Sequence, residues 1–497
     1  MIWVQLNKAD FEYDIHSLVK AFFPSENVFV SAEKKAPEET SGNESQGAGG
    51  DPVTAYMDII FADEERTIDV FWRDSIHGER CVRIACHSRE RLSVKNDLKI
   101  GLYDMLVELT GHELPWGSLT GIRPTKIPMQ FLEQGKSEDE IFSYMKGMYH
   151  ASDEKIALSI DIAKREKELL KRLDYENGFS LYVGIPFCPS TCLYCSFTSY
   201  PIGAWQGRVD AYLDALEREL DFVGERFGHR KLNSVYIGGG TPTTLEPRQL
   251  SRLLSMIESR FDFSHLIEYT LEAGRPDSMT REKLLAVRAH PEVGRISVNP
   301  QTMKDETLRL IGRRHTVAQT EECFAMAREL GFSNINMDLI LGLPGETLSD
   351  VEETMRRVQA LHPDNLTVHS LALKRAARLN LCKDEYKDYR MEITAEHGHV
   401  TAAGAAAMGM NPYYLYRQKN MAGNFENVGY GLPGKEGVYN ILIMEEKQTI
   451  IAVGAGSISK RVYPDGRIER CENVKDVAQY IERIGEMIER KRVLLEG

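Results

Sequence analysis

Six short β-branched runs between residues 180 and 370 constrain the fold of this 497-residue chain more than any other feature. Each run is followed by loop residues and then by an amphipathic stretch of helix length. Because parallel strands need a crossover connection of that kind, the pattern predicts parallel βα units. The predicted strands are 180–186, 233–238, 267–273, 294–299, 334–340 and 366–370. Six such units would form a partial barrel, with its active site where the carboxyl ends of the strands meet the following loops.

The regions on either side of these units have different patterns. Residues 1–170 combine strand-like runs with helical periodicity, and they predict an accessory α+β and helical region. Within it, residues 33–51 are rich in Glu, Ser and Gly and predict a flexible surface loop. Residues 385–497 predict a helix, a polar and aromatic loop, strands and a final helix, which together would form a lid or substrate domain. The barrel itself is expected over residues 171–384.

Composition excludes several classes of function. A net charge of −13 repels phosphate backbones, so general nucleic-acid binding is not expected. The chain has no run of apolar residues long enough for a membrane span, and its start lacks the pattern of a targeting segment. Three of its eight cysteines fall within eight residues, which in a reducing compartment indicates metal or redox chemistry before disulfides. We therefore expect a cytoplasmic protein.

The clustered cysteines follow the first predicted strand directly. The segment from Leu181 to Tyr200 reads LYVGIPFCPSTCLYCSFTSY, which places Cys188, Cys192 and Cys195 at C-x3-C-x2-C spacing. Thiolates ligate iron–sulfur clusters, and a four-iron cluster held by three of them keeps one iron open. A structural zinc site would need a fourth ligand, and the sequence offers no histidine between His150 and His229. A ligand from a distant segment remains an alternative.

A glycine-rich motif follows the second predicted strand. Residues 238–242 read GGGTP, so a backbone almost without side chains lies at the end of that strand. Glycines permit close approach of a ligand and unusual backbone angles. A tight turn is the simpler alternative for the same residues.

The cysteine loop resembles that of the radical S-adenosylmethionine superfamily. The sequence YVGIPFC, which ends at Cys188, resembles the YVHIPFC of oxygen-independent coproporphyrinogen III oxidases, and the similarity extends over residues 180–380. Residues 408–431 resemble the branch that carries a long N-terminal extension. The resemblance implies an α/β fold: a partial (β/α)6 radical S-adenosylmethionine barrel, with an N-terminal α+β extension and a C-terminal mixed α/β domain. It also implies a [4Fe–4S] cluster and S-adenosylmethionine as cofactors.

The same resemblance implies a set of site residues. Cys188, Cys192 and Cys195 would hold the cluster. The residues that match positions contacting S-adenosylmethionine are Tyr182, Tyr194, Gly239, Gly240, Thr241, Glu272, Gln301, Arg313, Asp338 and Ala372. Of these, Tyr182 and Glu272 are also expected to take part in catalysis. Carboxylates and amides suit ribose hydroxyls, and an arginine suits the methionine carboxylate.

The implied reaction is the oxygen-independent oxidative decarboxylation of coproporphyrinogen III to protoporphyrinogen IX. A 5′-deoxyadenosyl radical would abstract hydrogen from a propionate, which then loses carbon dioxide and a further electron. The implied partners are a tetrapyrrole substrate and a low-potential electron donor such as flavodoxin or ferredoxin. A substrate with four carboxylates needs cations, and the candidates near the expected barrel mouth are Arg314, Lys374, Arg375, Arg417 and Lys419.

Two departures from the family pattern leave alternatives open. Gly184 stands where the family has histidine, and the stretch at 408–431 differs from the better-matched barrel. One alternative is a haem chaperone of the same family, which would keep the cluster motif without the reaction. The other is a radical enzyme that methylates or opens a different tetrapyrrole.

Overall fold

The chain divides into two compact units. A computed structural model describes residues 1–33, 52–121, 123–197, 199–372, 374, 377–382, 385–386, 388–418 and 425–496. The first unit contains residues 1–161 and 416–426, and the second contains residues 162–415 and 427–497. The predicted loop 33–51 lies, except for Glu33, outside the described residues. Across the part that is described, no helix is both long enough and apolar enough to cross a membrane.

The first unit contains a five-stranded sheet covered by helices. Its strands are β1 (Ile2–Leu6), β2 (Val28–Ser31), β3 (Ala55–Ala62), β4 (Thr67–Asp74) and β5 (Gly78–Ala85). Its helices are α1 (Glu12–Phe22), α2 (Arg91–Thr110), α3 (Lys126–Glu133) and α4 (Glu138–Tyr149), and α5 (Asp153–Leu170) continues into the second unit. The strands lie in the order β2-β1-β3-β4-β5. This confirms the predicted N-terminal α+β extension.

The strand β1 is absent from the sequence-based prediction. It pairs in parallel with both β2 and β3 and is almost entirely buried. A strand that is buried on both faces has no alternation of polar and apolar residues, so its short apolar run resembles other buried segments. The other four strands of this sheet coincide with the strand-like runs that the sequence shows at 28–30, 56–61, 68–72 and 81–85.

Six parallel strands form the centre of the second unit. They are β6 (Gly178–Ile185), β9 (Lys231–Gly239), β10 (Glu268–Gly274), β11 (Arg295–Val298), β12 (Ile335–Leu341) and β13 (Asn365–Ser370), and a short pair, β7 (Phe187–Cys188) and β8 (Tyr200–Pro201), follows β6. Each main strand pairs in parallel with the next one in the chain. All six predicted strands are therefore present, and the partial (β/α)6 arrangement is confirmed.

Helices connect these strands. They are α6 (Val209–Phe227), α7 (Pro247–Glu258), α8 (Arg281–Arg288), α9 (Asp305–Leu310), α10 (Val317–Glu329), α11 (Leu348–Leu361) and α12 (Arg378–Leu381). Several begin with side-chain caps: Thr316 and Thr347, for example, accept hydrogen bonds from backbone N–H groups three residues on. Such caps supply partners for the unpaired N–H groups of a first helical turn, and they fix where each loop at the strand ends gives way to a helix.

One face of the six-stranded sheet is polar. Register partners share a face, so Tyr182, Tyr236, Thr270 and Arg295 follow one another across it. The other polar residues on this face are Ser180, Ser234, Glu268, Glu272, Ser297, Asn336, Asp338, Asn365, Thr367 and His369. Parallel strands covered on both sides are usually apolar on both faces. A polar face of this size indicates that it lines a site for a polar ligand.

The residues after 385 extend the same sheet at both edges. They form β14 (Asn411–Tyr416), β15 (Asn427–Gly431), β16 (Ile450–Val453), β17 (Ile458–Val462) and β18 (Ile468–Glu472), with helices α13 (Ala395–Ala407), α14 (Val438–Glu445), α15 (Val477–Glu482) and α16 (Ile484–Glu496). β15 pairs with β13, and β16 pairs with β6. The prediction of a polar and aromatic loop after the first helix of this region did not include β14, which follows α13 directly. The boundaries predicted at residues 170 and 384 stay predictions.

A buried ion pair anchors α16 to α6. Lys491 Nζ lies 2.5 Å from Glu219 Oε1, and both side chains are fully buried. The carboxylate of Glu219 also accepts hydrogen bonds from Gly454 N (2.8 Å), Tyr480 Oη (2.5 Å) and Asn473 Nδ2 (2.8 Å). Nearby, Tyr212 Oη donates to the carbonyl of Gly184 in β6 (2.6 Å). Polar groups in this interior are therefore paired.

Replacing Lys491 with Met should destabilise the second unit by about 3–5 kcal/mol, because it leaves the Glu219 charge buried without its cation. Guanidinium denaturation followed by circular dichroism measures this as a lower midpoint. The control is Arg490→Met on the same helix, where an ion pair between half-exposed side chains is lost and about 1 kcal/mol or less is expected. Equal midpoints for the two variants would show that the buried pair does not stabilise the unit.

Candidate functional site

The cysteine loop is held in place by backbone contacts from other elements. Leu193 N donates to Ile311 O (2.9 Å), which ties the loop to the end of α9. Cys195 N donates to Cys192 O (3.2 Å), and this bond closes a turn between the second and third cysteines. Cys188 lies in the short strand β7. The three thiols thus lie on a constrained segment at the carboxyl end of β6.

The sulfur atoms have polar neighbours from two later loops. Thr241 Oγ1 donates to Cys188 Sγ, and Arg275 Nη1 donates to Cys192 Sγ; both donor–sulfur distances are 3.5 Å. Burial raises the pKa of the Cys195 thiol to about 11, and burial also raises the pKa of Cys188 against the opposing hydrogen bond from Thr241. Metal binding replaces the thiol proton, so these groups become ligands only as iron enters.

These residues fit a [4Fe–4S] cluster better than a single metal ion. Among the described residues, no three His, Cys, Asp or Glu side chains converge as ligands of one ion, which gives no support to the zinc alternative. Each thiolate of a four-iron cluster binds a different iron, so convergence on one point is not needed. The cations Arg275 and Arg313 are buried beside Cys192, where they offset the negative charge of a thiolate-bound cluster.

The glycine motif brings the ends of β6 and β9 into contact. Gly240 N donates to Ile185 O, and Thr241 N donates to Phe187 O; both N···O distances are 2.7 Å. A Cβ atom on Gly240 would lie 2.5 Å from Phe187 O, and Gly239 has a φ of 104°. Glycine is therefore required at both positions. The consequence is that Thr241 reaches the Cys188 sulfur.

Two carboxylates on the polar face have opposite electrostatic properties. Burial raises the pKa of Glu272 to about 7, although a hydrogen bond from Tyr236 Oη acts in the other direction. Burial also disfavours the charged form of Asp338, but interactions with His369 and a 2.7 Å hydrogen bond from Asn336 hold its pKa below the usual value. Asp338 is therefore an acceptor, whereas Glu272 can donate or accept near neutral pH.

Gln301 adopts a backbone conformation that is rare for a residue with a side chain. Its φ is 70°. Its backbone is fixed on both sides, because Gln301 N donates to Asp338 O and Ile340 N donates to Gln301 O, both at 2.9 Å. Left-handed residues of this kind cost about 1–3 kcal/mol and occur often at functional sites. The conformation supports the prediction that Gln301 belongs to the site.

Arg313 is buried and only partly hydrogen-bonded. It donates to the backbone carbonyl of Asn299 through Nη1. In the described part of the chain, Arg313 Nε and Asn299 Oδ1 are buried and have no hydrogen-bond partner. Buried polar atoms without partners are costly, so they indicate a place for a polar ligand.

Three tyrosine rings lie together on the polar face. The ring of Tyr182 is 6.3 Å from that of Tyr236 and 6.2 Å from that of Tyr439, and all three are nearly parallel. Burial raises the pKa of Tyr182 and Tyr194, so both phenols are neutral. Ala372 follows β13 and is half-buried. These positions agree with contacts to a cofactor, and their roles stay predictions.

The described members of the predicted set of substrate cations fall in both units. Arg314 is exposed beside the turn after α9, and Lys374 Nζ lies 5.7 Å from the centre of the Phe197 ring. Arg417 lies in the first unit and is buried, with its guanidinium 5.9 Å from the centre of the Trp116 ring. It donates to the carbonyl of Leu119. Arg375 and Lys419 lie outside the described residues. The role of all five stays a prediction.

Several residues near the cysteines were not selected from the sequence. Arg275 contacts the cysteine loop, His315 is buried close to Asp277, and Arg295 and Tyr236 belong to the polar face. A signal for the last two was present in the sequence. Strands such as 234–238 and 268–272 alternate polar and apolar residues, whereas parallel strands are usually apolar throughout.

Comparisons with known proteins agree with this geometry. The family model "Radical SAM superfamily" matches residues 182–358. The chain is 41% identical to the oxygen-independent coproporphyrinogen-III oxidase-like protein HemZ of Bacillus subtilis, over 81% of each protein. It is 33% identical to the heme chaperone HemW of the same organism, over 62% of this chain and 76% of HemW.

A solved structure shares the fold. It is that of coproporphyrinogen III oxidase (HemN) from Escherichia coli, described as a radical SAM enzyme, with a TM-score of 0.52 and 25% identity over 65% of this chain and 73% of that one. In sequence alone, the oxidase from that organism matches only 40% of this chain and 42% of its own length. The similarity to HemN is therefore concentrated in one part of each chain.

We expect anaerobically reconstituted protein to hold about four irons and four sulfides per chain, and Cys192→Ala to hold almost none, because two thiolates do not retain the cluster. Chemical analysis of iron and sulfide measures both. The matched control is Cys471→Ala, which removes a buried thiol from β18. A normal cluster content in the Cys192 variant would exclude that residue as a ligand.

Glu272→Gln should raise the melting temperature at pH 8 but not at pH 5. The pKa of Glu272 in the folded protein is about 7 and lies above its ordinary value of 4.5, so the folded state binds a proton more readily than the unfolded state. Its ionisation therefore destabilises the fold increasingly as pH rises through that interval. Thermal melts at several pH values measure the difference, with exposed Glu306→Gln as control. A pH-independent difference would contradict the assignment.

Proposed function

Because this chain belongs to the radical S-adenosylmethionine family of HemN- and HemZ-like proteins, we propose that it decarboxylates coproporphyrinogen III to protoporphyrinogen IX without oxygen. The chain is a radical S-adenosylmethionine oxidoreductase that uses a [4Fe–4S] cluster and S-adenosylmethionine. The observation that carries the proposal is the single polar face of six strands, which has the cysteine loop at its carboxyl end and spans Glu272 and Asp338. The 41% identity to an oxidase-like protein over 81% of both chains supports this substrate.

In this proposal, the polar residues at the strand ends hold S-adenosylmethionine. Arg313 has a buried Nε without a hydrogen-bond partner among the described residues, and a guanidinium suits the methionine carboxylate. Asp338, kept ionised by His369 and Asn336, accepts hydrogen bonds from ribose hydroxyls. Gln301 and Glu272 complete the ribose contacts. Gly239, Gly240 and Thr241 supply backbone beside the methionine amino group.

When bound, the cluster and S-adenosylmethionine supply a carbon radical that abstracts hydrogen. The chain's own contribution is to orient the substrate and exclude water from that reaction. The stacked rings of Tyr182, Tyr236 and Tyr439 cover part of the polar face with apolar surface. The pKa of Glu272 lies near neutral pH, and Tyr236 donates a hydrogen bond to it. The carboxyl can therefore be neutral or ionised, depending on the ligand beside it.

The substrate and its partners follow from the same chemistry. Each of two propionates gives one hydrogen atom to a 5′-deoxyadenosyl radical and then loses carbon dioxide and passes one electron to an external one-electron acceptor, which leaves a vinyl group. The remaining carboxylates pair with cations, for which Arg314 and Lys374 are candidates among the described residues. A low-potential protein such as flavodoxin or ferredoxin supplies the electron that starts each cycle. We expect the reaction to take place in the cytoplasm.

A haem chaperone is the second candidate. The 33% identity to HemW over 62% of the chain favours it. The glycine at position 184, where the family pattern has histidine, leaves this alternative open. Space does not require this glycine, because a Cβ atom at Gly184 would meet Val453 O at 3.4 Å and Tyr182 Cε1 at 3.5 Å. A Cβ atom at position 184 would therefore make only ordinary van der Waals contacts.

Mass spectrometry of the products distinguishes these functions. With S-adenosylmethionine and dithionite under anaerobic conditions, we expect coproporphyrinogen III to lose two carbon dioxide units and deuterium from a labelled propionate to appear in 5′-deoxyadenosine. The Cys192→Ala protein is the control without a complete cluster site. Formation of 5′-deoxyadenosine with an unchanged porphyrinogen mass would reject this substrate. Tight haem binding and transfer to an apo-protein, without cleavage, would favour the chaperone.

A further inference from the structure

A cationic cavity lies against the outer side of the cysteine loop. Its volume is about 750 Å³, and its lining includes Arg309, Arg313, Arg314 and Arg378 together with Ser190 and Thr191 of the loop. All of these residues belong to the second unit. The cavity therefore joins four guanidinium groups to the segment between the first and second cysteines.

The positive charge of this cavity is not balanced from within. Asp305 is the one acidic residue in its lining, and its carboxylate already accepts a 2.8 Å hydrogen bond from Val317 N. The Arg309 side chain is 68% exposed and pairs with exposed Glu306 at 3.4 Å, whereas the side chains of Arg314 and Arg378 have no hydrogen bond or ion pair within the described residues. In a chain with a net charge of −13, such a patch attracts an acidic partner locally.

A short hydrogen-bonded route connects the cavity to a cluster ligand. Arg275 Nη1 donates to both Ser190 O (3.0 Å) and Ser190 Oγ (2.9 Å), and the same atom donates to Cys192 Sγ (3.5 Å). Asp277 fixes the guanidinium through two further bonds of 2.9 and 2.6 Å. One buried side chain thus separates the cavity wall from a predicted iron ligand, so an electron entering here has a short distance to cross.

No residue of the polar face lines the cavity, although Arg313, which is expected to bind S-adenosylmethionine, does. The lining contains none of Glu272, Gln301 and Asp338. A substrate must reach the radical formed beside those residues, whereas an electron donor needs only proximity to the cluster. Access to the cluster without access to the polar face is what a reducing protein requires.

We propose that the surface formed by Arg309, Arg314 and Arg378 docks a small acidic electron-transfer protein that reduces the cluster. One electron leaves the partner's reduced flavin or iron–sulfur centre, which is oxidised by one unit, and the cluster passes from the 2+ to the 1+ state. No atom or proton is transferred between the proteins. The inference rests on the proposed function in one respect: the protein must hold a redox-active cluster.

Binding of a reducing protein tests the surface directly. The probes are a recombinant bacterial flavodoxin and a [4Fe–4S] ferredoxin, titrated into the reconstituted enzyme by calorimetry at low salt. We expect at least one to bind, more weakly as salt is raised, and Arg309→Glu/Arg378→Glu to weaken that binding about tenfold or more. The matched control is Arg248→Glu/Arg356→Glu, which makes the same charge change at exposed sites on α7 and α11. Arg314 is left unchanged because it is also a candidate substrate contact.

Cleavage of S-adenosylmethionine, measured as 5′-deoxyadenosine without any tetrapyrrole, provides the second readout. The Arg309/Arg378 variant should lose cleavage driven by the reduced probe and keep cleavage driven by dithionite. Equal loss with both reductants would assign these arginines to a small-molecule site and overturn the docking proposal. Binding unchanged by the substitutions, or no binding of either probe to the wild type, would also overturn it. If dithionite drives no cleavage in the wild type, the proposed function fails, while the binding comparison still decides the docking surface.

Discussion

The contact between the ends of β6 and β9 is the constraint on which the site depends. Backbone hydrogen bonds from Gly240 and Thr241 to the cysteine loop can form only because glycine allows the two chains to approach so closely. The same approach places a hydroxyl on the sulfur of Cys188. The iron ligands and the residues expected to hold S-adenosylmethionine are therefore positioned by one pair of parallel strands. A side chain at position 240 would disturb both at once.

The second organising property is the division of the six strands into an apolar face and a polar face. The apolar face packs against the connecting helices and provides the hydrophobic stabilisation of the unit. The polar face carries groups that are costly to bury, including Glu272, Asp338 and Arg295. Some of these groups pair with one another, and others, such as Arg295 Nε, have no partner in the described chain. Buried polar groups without hydrogen-bond partners are thus concentrated on the face where a ligand can supply those partners.

The sequence predicted the parallel strands well because each has β-branched residues, a clear end and a helical stretch after it. The three cysteines were equally clear, since their spacing is local. What could not be predicted depends on contacts between distant residues. Arg275 becomes important only because its loop folds against Ser190 and Cys192, and the burial of Arg417 beside Trp116 in the first unit also depends on residues distant in the sequence. The strand β14 was mistaken for loop because it begins with Asn-Pro and contains no β-branched residue.

The buried network of Glu219 and Lys491 has a consequence for the order of events during synthesis. Tyr212 contacts Gly184, just before the cysteine loop, and it also accepts a hydrogen bond from Ala455, in the segment that precedes β17. Strand β16 and helix α16 leave the ribosome long after the cysteines do. Until they emerge, β6 lacks one of its two neighbouring strands and Glu219 lacks its cation. The cysteine loop therefore reaches its final support only when these later segments have folded, so a cluster delivered to the nascent chain would meet an unfinished site.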